Sequence, residues 1–376
     1  MSGEKQRSKA YQHAIHTTAF MRILYVSPSY YPHVGGVEYV VKSVAERLVK
    51  RGHDVTVLAG RLGYEKPVKE EVNGVHVVRW PVWSPGGAYH VPRMRGRFKE
   101  YLRGVARGFD VIHFHSVHSV FTMHALNMLK DVGVRKVLTM HYHGTGHTLF
   151  RRLLWVPWRG FCRKLVRYID VVHAVSVYEA RLIERDFGVK PVVIEHGVEE
   201  RLASVEWRPE NYVMYSGRIE RYKNLHRLGN IVKVLNNVYG YNLQLKIFGA
   251  GSYRDKLGNY LEKLGISFSI DPPQPYEKYI ESLSRAKLFA LLSEREAFGQ
   301  TVNEANAIGV PAVVAEPWGR NFEDRPRTLI VSLKDRDEEI ASKVAEFLDR
   351  VAREPRSSVP TWDEVADTYI KRLYRT

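Results

Sequence analysis

The chain has 376 residues, 44% of them hydrophobic and 26% charged, with a single cysteine and a formal net charge of +16. That length suits two α/β domains of ordinary size, and no apolar run approaches the roughly 18 residues of a membrane-spanning helix. Cys162 alone excludes an internal disulfide framework and a zinc site built mainly from thiolates, which fits a reducing cytoplasm.

The first twenty residues are polar, lack the apolar core of a signal peptide and precede Met21, so they are expected to lie outside the fold. From Met21 to residue 198, almost wholly apolar runs alternate with amphipathic stretches. "RILYV", "DVTVLAG", "DVIHFH", "KVLTMH", "DVVHAVSV" and "PVVIEHG" predict buried parallel strands, with helices such as Val37 to Arg51 and Glu179 to Phe187 between them. The polar segment 199–211 is the expected linker. The pattern then restarts with "YVMYSG", "LQLKIFGAG", "ISFSID", "LFALLS", "PAVVAE" and "TLIVS", which predicts a second doubly wound domain over 211–360. Two such domains facing each other would enclose a deep cleft. Charge divides unevenly between them: residues 1–200 hold 30 Lys/Arg against 17 Asp/Glu, and residues 201–376 hold 27 against 24. The first half is therefore expected to face something anionic, either nucleic acid or a membrane surface.

Several clusters fall where a predicted strand ends. Gly35 and Gly36 follow the first strand and allow close backbone approach by a ligand ahead of a helix. Gly217, Arg218 and Lys223 lie in "SGRIERYKN", where a guanidinium fork and a lysine point charge suit a diphosphate leaving group. Gly249 and Gly251 form another permissive turn. In "SEREAFGQTVNEANAIGVP" the helix is expected to begin near Gln300 or Thr301, with Glu304 in its first turn and Glu296 in the loop before it. Backbone N–H groups around Phe298, Gly299, Gln300 and Thr301 would favour an anion. Carboxylates repel phosphate, so Glu296 and Glu304 are better suited to vicinal sugar hydroxyls. Polyol and phosphate together indicate a nucleotide sugar.

Glu296-x7-Glu304 resembles the E-x7-E signature of family 4 glycosyltransferases, whose GT-B fold sets two Rossmann-like domains face to face. "YPHVGGVE", "TMHYHG", "SGRIERYKN" and "IFGAGS" are similar to further motifs of that family in the same order. The terminal "WDEVADTYIKRLY" (within 361–376) resembles its closing helix, which crosses back to the first domain. The resemblance implies retaining transfer of a hexosyl group from a nucleoside diphosphate sugar, UDP- or GDP-linked, to a sugar or lipid-linked acceptor, with no obligatory metal. It assigns Glu304 to the ribose hydroxyls, Glu296 to the donor sugar and Arg218 with Lys223 to the diphosphate. Gly36 would approach the diphosphate from the other domain, and His141 would contact the sugar near the transferred carbon. Two departures stand out: "EHGVE" places His196 where the family carries asparagine, and "PWGRNFEDRPRTLIV" replaces a glycine-rich turn.

Competing readings remain. His113 with His115, and His141 with His143, form two H-x-H pairs that could take zinc, although cleft histidines near phosphate and sugar need no metal. Within 151–170, Arg152, Arg159, Arg163 and Arg167 share a helical face opposite Leu154, Phe161 and Leu165, with Pro157 expected in the first turn. Beside Trp155 and Trp158, that face suits an interfacial helix on anionic lipid, leaving the protein cytoplasmic and peripheral. A nucleic-acid-binding protein would explain the charge, but no standard binding motif is present. A GT-B-like epimerase or phosphorylase would keep the fold and change the reaction.

Overall fold

The structure is a computed structural model that describes residues 19–33, 35–85, 90–145 and 149–375, with side chains for all of these but 149–152. Most of the predicted extension, residues 1–18, and the side chain of Arg152 therefore lie outside the described residues.

Two sheets carry the chain, the second parallel throughout and the first parallel except where β3 and β5 pair antiparallel with β4. In the first, strands β1 (Arg22–Ser27), β2 (Asp54–Arg61), β3 (Val68–Val72), β4 (Val75–Trp83), β6 (Val111–His115), β7 (Arg135–Thr139), β8 (Val171–Ala174) and β9 (Val192–Val193) lie in the order β3-β4-β2-β1-β6-β7-β8-β9, with β5 (Val91–Pro92) paired to β4. In the second, β10 (Glu210–Ser216), β11 (Gln244–Phe248), β12 (Phe268–Asp271), β13 (Ala286–Leu291), β14 (Ala312–Ala315) and β15 (Thr328–Val331) lie in the order β12-β11-β10-β13-β14-β15. Strands such as β6 and β14 are buried at every residue because helices cover both faces, hence the unbroken apolar run of β14, while β6 carries two buried histidines.

Helices alternate with these strands: α1 (Gly36–Lys50), α2 (Arg95–Ala106), α3 (Val120–Leu129), α4 (Leu149–Val166) and α5 (Val177–Phe187) in the first half. The second half adds α6 (Leu225–Tyr239), α7 (Arg254–Leu264), α8 (Tyr276–Ser284), α9 (Gln300–Ile308) and α10 (Asp337–Val351), and the chain closes with α11 (Trp362–Tyr369). This last helix leaves the second sheet and packs on α1: Arg47 Nε meets Asp363 at 2.8 Å, Arg51 Nε meets Asp367 at 2.6 Å, and the hydroxyls of Tyr374 and Tyr25 are 2.6 Å apart.

The structure corrects two expectations for α4. Pro157 sits inside the helix, not in its first turn. The missing N–H and the displaced carbonyl fall on a flank where Leu153 is 66% exposed, so water can serve the freed groups. Trp155 and Trp158 point inward: Trp155 packs 4.4 Å from His118, and Trp158 donates its Nε1–H to Val117 O at 3.0 Å.

Candidate active site

Strand order reverses between β1 and β6 in the first sheet and between β10 and β13 in the second. Open α/β sheets bind ligands beyond the strand ends at such reversals. Gly35 and Gly36 follow β1, and His115 and His141 lie at the ends of β6 and β7. Arg218 and Lys223 follow β10, and Glu296 follows β13.

On the second-sheet side, Lys223 Nζ donates to Glu296 Oε1, while the exposed Arg218 reaches Tyr222 OH at 2.9 Å. Backbone and side-chain bonds fasten the two loops: Glu294 N–H to Tyr222 O at 3.0 Å, and Asn224 Nδ2 to Leu292 O at 3.0 Å. Gly249 and Gly251 serve the same clamp. A Cβ on Gly249 would lie 1.9 Å from Gly217 O, and one on Gly251 would lie 2.2 Å from Ile219 O, so only glycine lets these backbones touch.

Gly299 precedes α9 at φ 111°, a left-handed value that favours glycine, and offers no side-chain cap to the amides of Gln300 and Thr301. Phe298 is buried edge-on to His196, with ring centroids 4.9 Å apart. Gln300 Nε2 donates to Gly197 O at 2.9 Å, and Asn303 Nδ2 to His196 O at 3.0 Å, so α9 grips the end of the first half.

Glu304 lies one residue beyond the first turn of α9 and is 3% exposed, enclosed by hydroxyls. Tyr279 OH donates to it at 2.8 Å and Tyr276 OH at 3.4 Å, while Gln300 and Tyr39 of α1 also face the carboxylate. Burial pushes its carboxyl up to about 7, against the pull of these hydrogen bonds. The two glutamates of the spaced pair thus have separate partners in the free protein.

The opposing wall is histidine. His141, in the left-handed region at φ 47°, places Nε2 3.3 Å from His115 Nδ1, and its ring lies 6.0 Å from that of His196. Burial holds His141 down to about 3. His143 is held at about 4, chiefly by burial; Glu296 acts against this and Arg218 with it, which places His143 within electrostatic reach of both. Both imidazoles are therefore neutral near pH 7. Both ring nitrogens of His196 are buried, and among the described residues neither meets a partner at hydrogen-bond geometry. His113 is engaged otherwise, at 2.9 Å from Tyr374 OH and 2.7 Å from Thr139 Oγ1. Among the described residues, no three His, Cys, Asp or Glu side chains converge as a metal site.

Sequence reasoning missed Glu38, whose carboxylate folds back so that a Cβ on Gly35 would lie 2.3 Å from its Oε2, while Gly36 faces open space. It also missed the tyrosines around Glu304. Tyr276 and Tyr279 share a face of α8 at a spacing of three, a pattern that core aromatics share.

The family model "Glycosyltransferase Family 4" matches residues 34–202, and "Glycosyl transferases group 1" matches residues 199–350. The chain belongs to the family 4 glycosyltransferases. As an enzyme of that family it uses sugar-nucleotide donors. It is 26% identical over 339 residues to a GDP-mannose-dependent alpha-mannosyltransferase of Mycolicibacterium smegmatis, covering 82% of each chain. The GT-B fold matches sucrose-phosphate synthase from Thermosynechococcus elongatus at TM-score 0.71 and 16% identity, covering 94% of this glycosyltransferase and 95% of that chain. An E. coli trehalose-6-phosphate structure bound with UDP-2-fluoro glucose matches at TM-score 0.68 and 13% identity, covering 94% and 99%.

Proposed function

We propose that the enzyme moves a hexosyl group from a UDP- or GDP-sugar, with retention and no obligatory metal, to a sugar or lipid-linked acceptor held by the first half. One observation carries the reading: Lys223 and Glu296 pair at a strand-order reversal, opposite the neutral His141 and His143. In the free protein each member of that pair neutralises the other. A donor would separate them, taking Lys223 and Arg218 on its diphosphate and Glu296 on its sugar hydroxyls. The cations then stabilise the charge that accumulates on the leaving phosphate. Neutral histidines suit this geometry because they can hydrogen-bond a sugar without competing for the diphosphate. Glu304 would hold the ribose, with Gly36 approaching the phosphates across the cleft. The leaving phosphate would assist deprotonation of the acceptor on the same face, so no covalent nucleophile is assigned. Support for the donor class comes from the GDP-mannose-dependent relative and from the neighbour bound to a UDP-sugar analogue.

A thermal-shift panel of UDP, GDP and ADP, each with and without its sugar, tests this directly. One nucleotide and its sugar conjugate should raise the melting temperature. A response to oligonucleotides and to none of these would defeat the reading.

The exposed flank of α4 supports a second element, peripheral binding to an anionic membrane on its cytoplasmic side. Leu153 and Val156 (60% exposed) project beside the exposed Arg163, Lys164 and Arg167, in the half that holds the charge excess. Among the described residues no helix is long and apolar enough to cross a membrane. Sedimentation with phosphatidylglycerol vesicles but not phosphatidylcholine vesicles at low salt is expected, and equal sedimentation with both would count against it.

A further inference from the structure

Helix α5 opens with Ser176-Val177-Tyr178-Glu179, the spacing of a capping box, in which the glutamate side chain returns to the N-cap backbone N–H. The chain builds a complete box elsewhere: Thr361 N–H donates to Glu364 Oε2 at 2.7 Å, and Glu364 N–H donates to Thr361 Oγ1 at 3.2 Å. At α5 only half of it forms. Ser176 Oγ accepts from Glu179 N–H at 3.0 Å, but the Glu179 carboxylate turns away, taking Val175 N–H on Oε2 at 2.5 Å and Tyr142 N–H on Oε1. Glu179 is fully buried, and a carboxyl group withdrawn from water is costly unless hydrogen bonds satisfy it.

What those bonds hold is the amide immediately after His141, whose left-handed backbone at φ 47° is disfavoured for any residue with a Cβ. The same turn reaches across the cleft. Ser176 Oγ donates to Ala297 O at 2.7 Å, one residue from Glu296, and Tyr178 N–H donates to Asn321 Oδ1 at 3.1 Å.

The geometry points to Glu179 as a positioning residue for His141, and to Ser176 as the bond that registers His141 against the loop bearing Glu296. Glu179 acts through the backbone of His141 and makes no contact with substrate. Ser176 completes the link, because one side chain caps α5 and binds the opposing domain. The assignment of a role to this register rests on the proposed donor site.

The test uses the full chain labelled with 13C at histidine Cε1, with the His141 resonance identified by His141→Asn. In Glu179→Gln, whose amide cannot accept from both backbone donors, the His141 signal should move while those of His76 and His226 stay in place. In Ser176→Ala, kcat with UDP-glucose or GDP-mannose, whichever the wild type turns over, should fall about tenfold, with the dissociation constant of UDP or GDP changed less than twofold. Glu179→Gln should add little to the loss already caused by His141→Ala. Glu179→Asp, shorter by one methylene, keeps the carboxyl group and should give an intermediate displacement of the resonance if the glutamine variant does not fold. An unmoved His141 signal in a folded Glu179 variant overturns the inference, as does full loss by Glu179→Gln on top of His141→Ala. A wild type that binds neither UDP nor GDP would sink the donor reading instead, and the resonance would still decide the role of Glu179.

Discussion

Arg218 and Lys223 lie five positions apart, yet the fold treats them differently: Lys223 is buried against Glu296, whereas Arg218 stands exposed on Tyr222. Among the described residues Arg218 makes no ion pair, so in the proposed reaction it could follow a leaving diphosphate without first breaking one. Arg218→Ala should slow transfer by about 100-fold, as losing one preorganised charge-stabilising donor costs roughly 3 kcal/mol; near-normal turnover would remove Arg218 from the site. Glu304 carries a pH consequence. Its carboxyl is raised from 4.5 to about 7 by burial, so the folded state binds its proton more tightly than the unfolded chain does. The stability it contributes is complete below pH 4.5 and disappears as pH rises through about 7. The proposed ribose contact would have the opposite sign, because only the carboxylate accepts from both hydroxyls. Affinity for an intact sugar nucleotide, whose diphosphate does not titrate in this range, should rise about tenfold between pH 6 and pH 8, following the ionised fraction. Calorimetry across that range should show a flat profile for Glu304→Gln, and a flat wild-type profile would separate Glu304 from the ribose.

At the scale of elements, the clamp loop after β10 depends on a neighbour that contributes no functional group. The turn after β11 lies against it, with Ile219 N–H bonded to Ala250 O at 2.9 Å and Tyr253 N–H to Ile219 O at 3.1 Å. Gly251→Ala would drive a Cβ into Ile219 O, and the backbone must give way. A loss of about 1 to 3 kcal/mol in denaturant melts is expected, with weaker nucleotide binding because Arg218 moves with its loop. An unchanged melt would show that the crossing has slack. The strands around this loop were legible because parallel strands buried on both faces leave short, mostly apolar runs, as in "YVMYS" and "LFALL". The hairpin of β3 and β4 was not. Its edge strand "VKEEV" is charged and largely exposed, and Pro81 interrupts "VHVVRWPVW", so neither gives a clean run. Helix α4 misled for a related reason: apolar residues occupy more than one face, and periodicity alone could not say that Trp155 turns inward while Leu153 faces water. Of the candidate site, Glu296, Arg218 and Lys223 were legible as charges at strand ends, where the structure places them. Glu179 was hidden by its spacing from Ser176, which reads as an ordinary helix cap until the structure shows where the carboxylate goes.

Over the whole molecule, chain order and domain membership separate at the C-terminus. Helix α10 packs into the core of the second sheet, where Phe347 is buried beside Val344 and Ile340. After a short connection the chain returns to the first sheet. Trp362, Tyr369, Ile370 and Leu373 lie in one core with Ile23, Tyr25, Val41 and Val44. The first domain is therefore finished by residues that follow the whole second sheet in chain order. The two ends of this segment should respond to truncation in different halves of the molecule. Leu373→Ala removes a fully buried side chain from the first core at a cost of about 2 to 5 kcal/mol, and Phe347→Ala opens a cavity in the second at about 3 to 5 kcal/mol. If the halves melt separately, scanning calorimetry should show one heat-absorption peak lowered by Leu373→Ala and the other by Phe347→Ala. Bonds across the cleft, such as Ser176 to Ala297 and Asn303 to His196, oppose such independence. Ser176→Ala should therefore widen the gap between the peaks. Both substitutions lowering the same peak by the same amount would mean that the crossing bonds, and not the two cores, set the cooperative unit.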